Sequence, residues 1–138
     1  LFQLIQFSLL FAIYYFFGGF VLACFLVSAF IGAALLETVN YIEHYGLKRN
    51  FAKTSYERVQ PAHSWNSNHI MGRLTLFELS RHSDHHYLAS RKYQILRHME
   101  EAPQMPTGYP GMILLALIPP IWFKVMHRQM DRFGITPR

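Results

Sequence analysis

The first 36 residues, Leu1 to Leu36, contain no Asp, Glu, Lys, Arg or His. A bilayer span needs about 20 apolar residues in succession, a demand that the core helix of a water-soluble domain does not make. One straight helix of this length would reach about 54 Å at about 1.5 Å per residue, against a hydrocarbon core of about 30 Å. The run is therefore expected to fold back, and Gly18-Gly19 is its natural break, because glycine accepts the backbone angles of a tight turn and weakens a helix. Two spans follow, about residues 1–17 and 20–39, with a single kinked span as the alternative. Tyr14, Tyr15, Phe16 and Phe17 cluster just before the break, as aromatics do where a helix leaves a membrane.

A secretory signal fits this region poorly, since it has no basic segment and too long an apolar stretch. The chain starts with Leu1, inside apolar sequence, and so reads as a piece of a longer protein. Lys48, Arg49, Lys53 and Arg58 appear abruptly after the second span. The positive-inside rule then puts residues 40 onward in the cytoplasm, with the inner membrane as the expected location. Membrane orientation and anionic headgroups account for the net charge of +5 without nucleic acid as a partner. Cys24, the single cysteine, lies within the second span, which excludes an internal disulfide and argues against thiolate metal chemistry.

The chemistry concentrates in Leu79-Ser80-Arg81-His82-Ser83-Asp84-His85-His86. On a helix, positions three and four apart share a face, so His82, His85 and His86 would point the same way. Imidazole suits iron, zinc, copper and nickel, and three on one turn favour a metal site over surface decoration. A helix is expected from about Asn68 to Ala89, with the histidines in its last turns. Glu37, Asn40 or Tyr41, and His44 recur at helical spacing at the foot of the second span. His44 is either a further ligand, oriented by Glu43 or Glu37, or a polar residue snorkelling out of the membrane. Gly46 then ends that helix.

Further residues are candidates to support the ligands. Glu78, four residues before His82, either accepts its second ring N–H or is a solvated acid. Asp84 pairs with Arg81 or Lys92, or supports a ligand elsewhere. His63 and His69 flank Ser64-Trp65-Asn66-Ser67-Asn68 and suit hydrogen bonding or capping better than ligation. Leu79 either bounds an apolar substrate channel or simply packs. His98 and His127 read as surface residues. Residues 50–63 look irregular, and 103–111 form a Pro/Gly-rich connector. Met112–Phe123, interrupted by Pro119-Pro120, is too short to span and is expected to lie in the interface or pack on the catalytic region, residues 40–102.

Asn40-Tyr41-Ile42-Glu43-His44-Tyr45-Gly46 and the Leu79–His86 segment resemble two signature segments of membrane-bound alkane 1-monooxygenases, N-Y-x-E-H-Y-G and L-x-R-H-x-x-H-H. The stretches His63–His69 and Pro106–Gly111 are also similar to that family, so the resemblance runs over nearly the whole chain. It implies an all-α integral membrane protein, with two transmembrane helices before a cytoplasmic, mainly helical metal-binding region. It further implies two non-haem iron ions, with His44, His82, His85 and His86 among their ligands. The implied reaction is hydroxylation of the terminal carbon of an n-alkane with O2, electrons arriving from a reductase through rubredoxin. Cleaving so strong a C–H bond calls for a redox metal, which zinc is not.

One departure is plain: the family's histidine boxes H-E-x-x-H-K and E-H-x-x-G-H-H are absent from these 138 residues. The piece alone is accordingly expected to be inactive. The alternatives are an acyl desaturase or sterol-type hydroxylase, a xylene-type hydroxylase, and a zinc-binding membrane scaffold or transporter.

Overall fold

The computed structural model describes residues 1–136, mostly as helix. The chain divides into two units, Leu1–Glu37 and Thr38 onward.

Helix α1, Phe2–His44, starts in the first unit and ends in the second. It is long and apolar enough to cross a membrane. Its 43 residues are about twice the number that one span of a hydrocarbon core needs. Within the first unit the apolar side chains are exposed on all sides, Phe11 at 68% and Phe30 at 74% among them. Exposure of that kind is costly in water and costless in lipid. The helix breaks at Gly18, whose φ of 81° and ψ of 173° suit glycine alone. The interruption thus falls on the glycine pair, and helix continues on both sides of it.

The second unit opens with the last turns of α1, where Ile42 is fully buried. Ile42 joins Trp65, Met105, Tyr109, Met112, Trp122, Met126 and Met130 in one apolar core. Carbonyls at a helix C-terminus need partners, and here one residue serves two of them. Trp65 donates its backbone N–H to the Glu43 carbonyl at 2.8 Å and its indole N–H to the Tyr45 carbonyl at 2.8 Å. The two bonds bracket His44. Gly46, with φ of 73°, turns the chain away, and the space a Cβ would fill there is taken by Met130.

A two-stranded hairpin, β1 Phe51–Ala52 and β2 Ser55–Tyr56, follows, and then a 3₁₀ turn, Pro61–His63. The single helix expected over 68–89 does not form. The chain makes α2, Ile70–Thr75, and α3, His82–Tyr87, with a corner between them at Phe77 (φ 50°) and Glu78 (φ 64°). Left-handed angles cost ordinary residues about 1–2 kcal/mol each, so something must hold the corner. Arg73 does: its carbonyl accepts the Glu78 N–H at 2.8 Å, and its Nε and Nη2 donate to the Glu78 carboxylate, each at 2.9 Å at closest. Past the corner, Ser67 N–H binds the Ser80 carbonyl at 2.9 Å and Ser83 Oγ donates to the Ser64 carbonyl at 3.0 Å, seating α3 on the 61–67 segment.

A second 3₁₀ turn, Tyr93–Ile95, precedes the connector. Asn66 then exchanges backbone bonds with the connector through Pro103 and Met105. The apolar stretch beyond it forms α4, Tyr109–Ala116, and α5, Pro119–Arg132. Pro119 and Pro120 open α5 rather than interrupt it, because a first helical turn needs no N–H from either residue. Trp122, Met126, Gln129 and Met130 form the buried stripe of α5, while Leu114, Leu117 and Ile118 stay exposed.

Candidate metal centre

His44 ends α1, and α3 starts on His82 with His86 one turn later. One ligand-capable atom from each of these three residues lies within 4.8 Å of the others. His44 Nε2 and His82 Nε2 stand 3.4 Å apart. Two nitrogens bound at about 2.1 Å to one tetrahedral ion would also be about 3.4 Å apart, so this pair is already spaced for shared coordination. The rings of His82 and His86 pack edge-on at 4.2 Å between centroids.

A metal ligand must offer a neutral lone pair. Burial, helped by neighbouring His86, His44 and His85, pushes His82 down to about 2. Burial also lowers His86, with His44, His85 and Arg49 adding to the effect. Both imidazoles are therefore neutral at ordinary pH. The other ring nitrogen of His82, Nδ1, lies 3.3 Å from Glu43 Oε1, and that same oxygen accepts the Tyr109 hydroxyl at 2.7 Å. Burial raises the Glu43 carboxyl to about 7, with the Tyr109 hydroxyl opposing the rise. In its ionised form, a carboxylate behind a histidine favours the proton on the far nitrogen and leaves the near one bare, the usual support for a metal-binding imidazole. In donor chemistry and spacing the trio fits a transition-metal ion.

His85 is beside the trio but outside it, its ring centroid 6.0 Å from that of His82 and 5.6 Å from that of His86. His63 has both ring nitrogens engaged: Nδ1 accepts the Gln60 N–H at 3.0 Å and Nε2 lies 3.2 Å from Glu57. It nevertheless lines a cavity of about 360 Å³ beside the trio, together with His44, Leu47, Lys48, Arg49, Val59 and His86. That lining mixes the apolar Leu47 and Val59 with histidines and the cationic Lys48 and Arg49. Leu79 is not part of it; it sits 40% exposed just past the left-handed corner.

Several expected partners differ. Glu78 serves the corner, paired to Arg73 and to Arg81 at 3.3 Å, and Glu43 is the carboxylate that reaches His82. Asp84 is wholly buried and pairs with Arg91 and Arg97 rather than Arg81 or Lys92. Burial opposes its ionisation, but hydrogen bonds from Arg97 and the charges of Arg97 and Arg91 together hold its carboxyl below the usual range. It thus ties α3 to the 91–97 segment. His69 is exposed and precedes α2, Asn40 is exposed, and Glu37 belongs to the first unit.

His98 and His127 are half-buried, not surface groups. His98 Nδ1 meets Asn66 Nδ2 at 2.9 Å, and His127 Nε2 meets the Tyr45 hydroxyl at 2.8 Å. Tyr109 was not among the residues singled out from the sequence. Its one signal was its place in Pro106–Gly111.

The sequence model of the fatty acid desaturase family matches residues 1–116. Alkane 1-monooxygenase 2 of Alcanivorax borkumensis is 56% identical over 110 residues, 79% of this chain and 29% of its own length. Alkane 1-monooxygenase 1 of Pseudomonas aeruginosa is 54% identical over 111 residues, 80% of this chain and 29% of its own. The xylene/toluene monooxygenase hydroxylase component XylM of Pseudomonas putida is 33% identical over 116 residues, 81% of this chain and 30% of its own. The chain spans about three-tenths of the length of these curated relatives.

Proposed function

The chain belongs to the fatty acid desaturase family, and from that premise we propose that it forms part of the metal centre of a membrane alkane 1-monooxygenase. The observation that carries this reading is the convergence of His44, His82 and His86, backed by Glu43, in a chain 54–56% identical to proteins of that name. In the proposed reaction one atom of O2 enters the terminal C–H bond of an n-alkane. The other leaves as water, with two electrons and two protons supplied through rubredoxin and its reductase. In this reading His44, His82 and His86 would hold one non-haem iron, and His85, set to one side, would serve a second. Bound iron would supply the redox chemistry that C–H cleavage demands.

This chain's own residues contribute position and protonation state. Trp65 fixes the carbonyls on either side of His44, the Ser83–Ser64 bond seats α3, and Glu43 sets the His82 proton. The apolar run supplies two spans, about 1–17 and 20–39, in the inner membrane, with the histidines on the cytoplasmic side. The exposed α4–α5 corner, around Leu117 and Ile118, rests in the interface.

The test is a graft of this chain in place of the matching segment of the Alcanivorax borkumensis enzyme, assayed in membranes with rubredoxin, reductase, NADH and octane. Formation of 1-octanol, abolished by His82→Ala, is expected. A graft that binds a single zinc and consumes no O2 would instead support a zinc scaffold. The 33% identity to XylM favours a second reading, side-chain hydroxylation of methylbenzenes, and p-xylene in the same assay separates the two.

A further inference from the structure

Tyr109 lies 66 positions from Glu43 in sequence, yet its hydroxyl donates to Glu43 Oε1 at 2.7 Å. The ring is 1% exposed and belongs to the apolar core. Packing alone would be met by phenylalanine, and a buried hydroxyl is costly unless bonded. Its bond goes to the one carboxylate oxygen that also touches His82 Nδ1. The backbone of Tyr109 is the first residue of α4, with Gly108 as the helix cap and Pro110 in the first turn, which limits its freedom. Gly72 of α2 packs beside the ring, a Cβ there falling at ordinary contact distance, 3.6 Å from Tyr109 Cδ2 and 3.5 Å from Ser80 Cβ.

We propose that Tyr109 is a positioning residue for the histidine cluster. By holding Glu43 Oε1 it keeps the carboxylate against His82 Nδ1, so that His82 carries its proton there and turns a bare Nε2 toward His44 and His86. Without the hydroxyl, Glu43 is free to rotate to water or to a neighbouring donor, and His82 divides between its two neutral tautomers. The consequence for metal affinity rests on the metal reading given above, whereas the consequence for the tautomer does not.

The experiment uses the whole 138-residue chain in lipid nanodiscs. Nitrogen-15 NMR of metal-free protein reports the His82 tautomer, and Co2+ titration against a competing chelator reports affinity. Wild type is expected to hold the Nδ1–H form. Tyr109→Phe is expected to raise the Nε2–H share and weaken Co2+ binding by about tenfold or more, the range for losing such support. In a Glu43→Gln background Tyr109→Phe should add less than about a twofold further loss, because its path to His82 is already cut.

A wild-type His82 protonated on Nε2 would overturn the proposal without recourse to any variant. So would a Tyr109→Phe protein with unchanged tautomer and affinity, or a loss undiminished beside Glu43→Gln. Should Tyr109→Phe not fold, the tautomer in wild type and in Glu43→Gln decides: no difference between them sinks the relay. Absence of Co2+ binding by wild type would refute the metal reading alone, and the tautomer comparison would still judge Tyr109.

Discussion

His44 and His82 come from elements 38 positions apart and set Nε2 against Nε2 at 3.4 Å. With the His82 proton on Nδ1, its Nε2 lone pair faces His44 across that gap, where a proton or a cation would bridge the two nitrogens. His44→Ala or His82→Ala should therefore weaken Co2+ binding by more than about a hundredfold, beyond the effect of losing an outer-shell partner. His85→Ala should weaken binding of the first ion by less than about tenfold, since its ring stands off the trio. Chelator-competition titration measures all three.

His63 lines the same cavity but has no nitrogen to spare. His63→Ala is expected to leave Co2+ stoichiometry unchanged, as read by elemental analysis of the dialysed protein. A loss of bound metal would place His63 among the ligands.

Asp84→Ala strands Arg91 and Arg97 around an emptied, fully buried position. Breaking a buried pair costs about 3–5 kcal/mol, and the half-exposed Arg97 side chain brings the expected loss to about 2–3 kcal/mol. Denaturant titration gives the loss. Hydrogen exchange at the Arg97 amide, which donates to Asp84 at 2.8 Å, should quicken with it.

Gly46→Ala meets two obstacles, a positive φ and the Met130 side chain. The backbone contributes about 1–2 kcal/mol and the overlap about 1–3 kcal/mol. Met130→Ala removes only the second, at a cavity cost of its own. Thermal denaturation of the single and double variants should accordingly show costs that fail to add, with the double variant more stable than their sum implies.

How far each element was legible depended on where its cause lies. The Gly18 break followed from composition and one residue type. The left-handed corner did not, because Leu76-Phe77-Glu78-Leu79 holds neither glycine nor proline, and local reading runs a helix straight through it. What stops that helix is the Arg73–Glu78 pair together with the seating of Ser80 and Ser83 on the 64–67 segment. The same contacts explain why Glu78, well spaced for His82, is engaged elsewhere. Glu43 was a candidate for orienting His44, its neighbour in sequence, and instead reaches His82.

By itself, then, the sequence determined a charge-free run suited to lipid, a break at a glycine, and a group of histidines whose residue types and spacing speak of metal. Those properties are local, carried by side-chain chemistry and helical period. Only the tertiary structure decided that His44 joins His82 and His86 while His85 stands aside, and that Tyr109 and Glu43 back His82. Such choices arise when distant segments share one core: burial favours the neutral forms of His82 and His86, and buried polar groups find their partners among whatever the fold brings near.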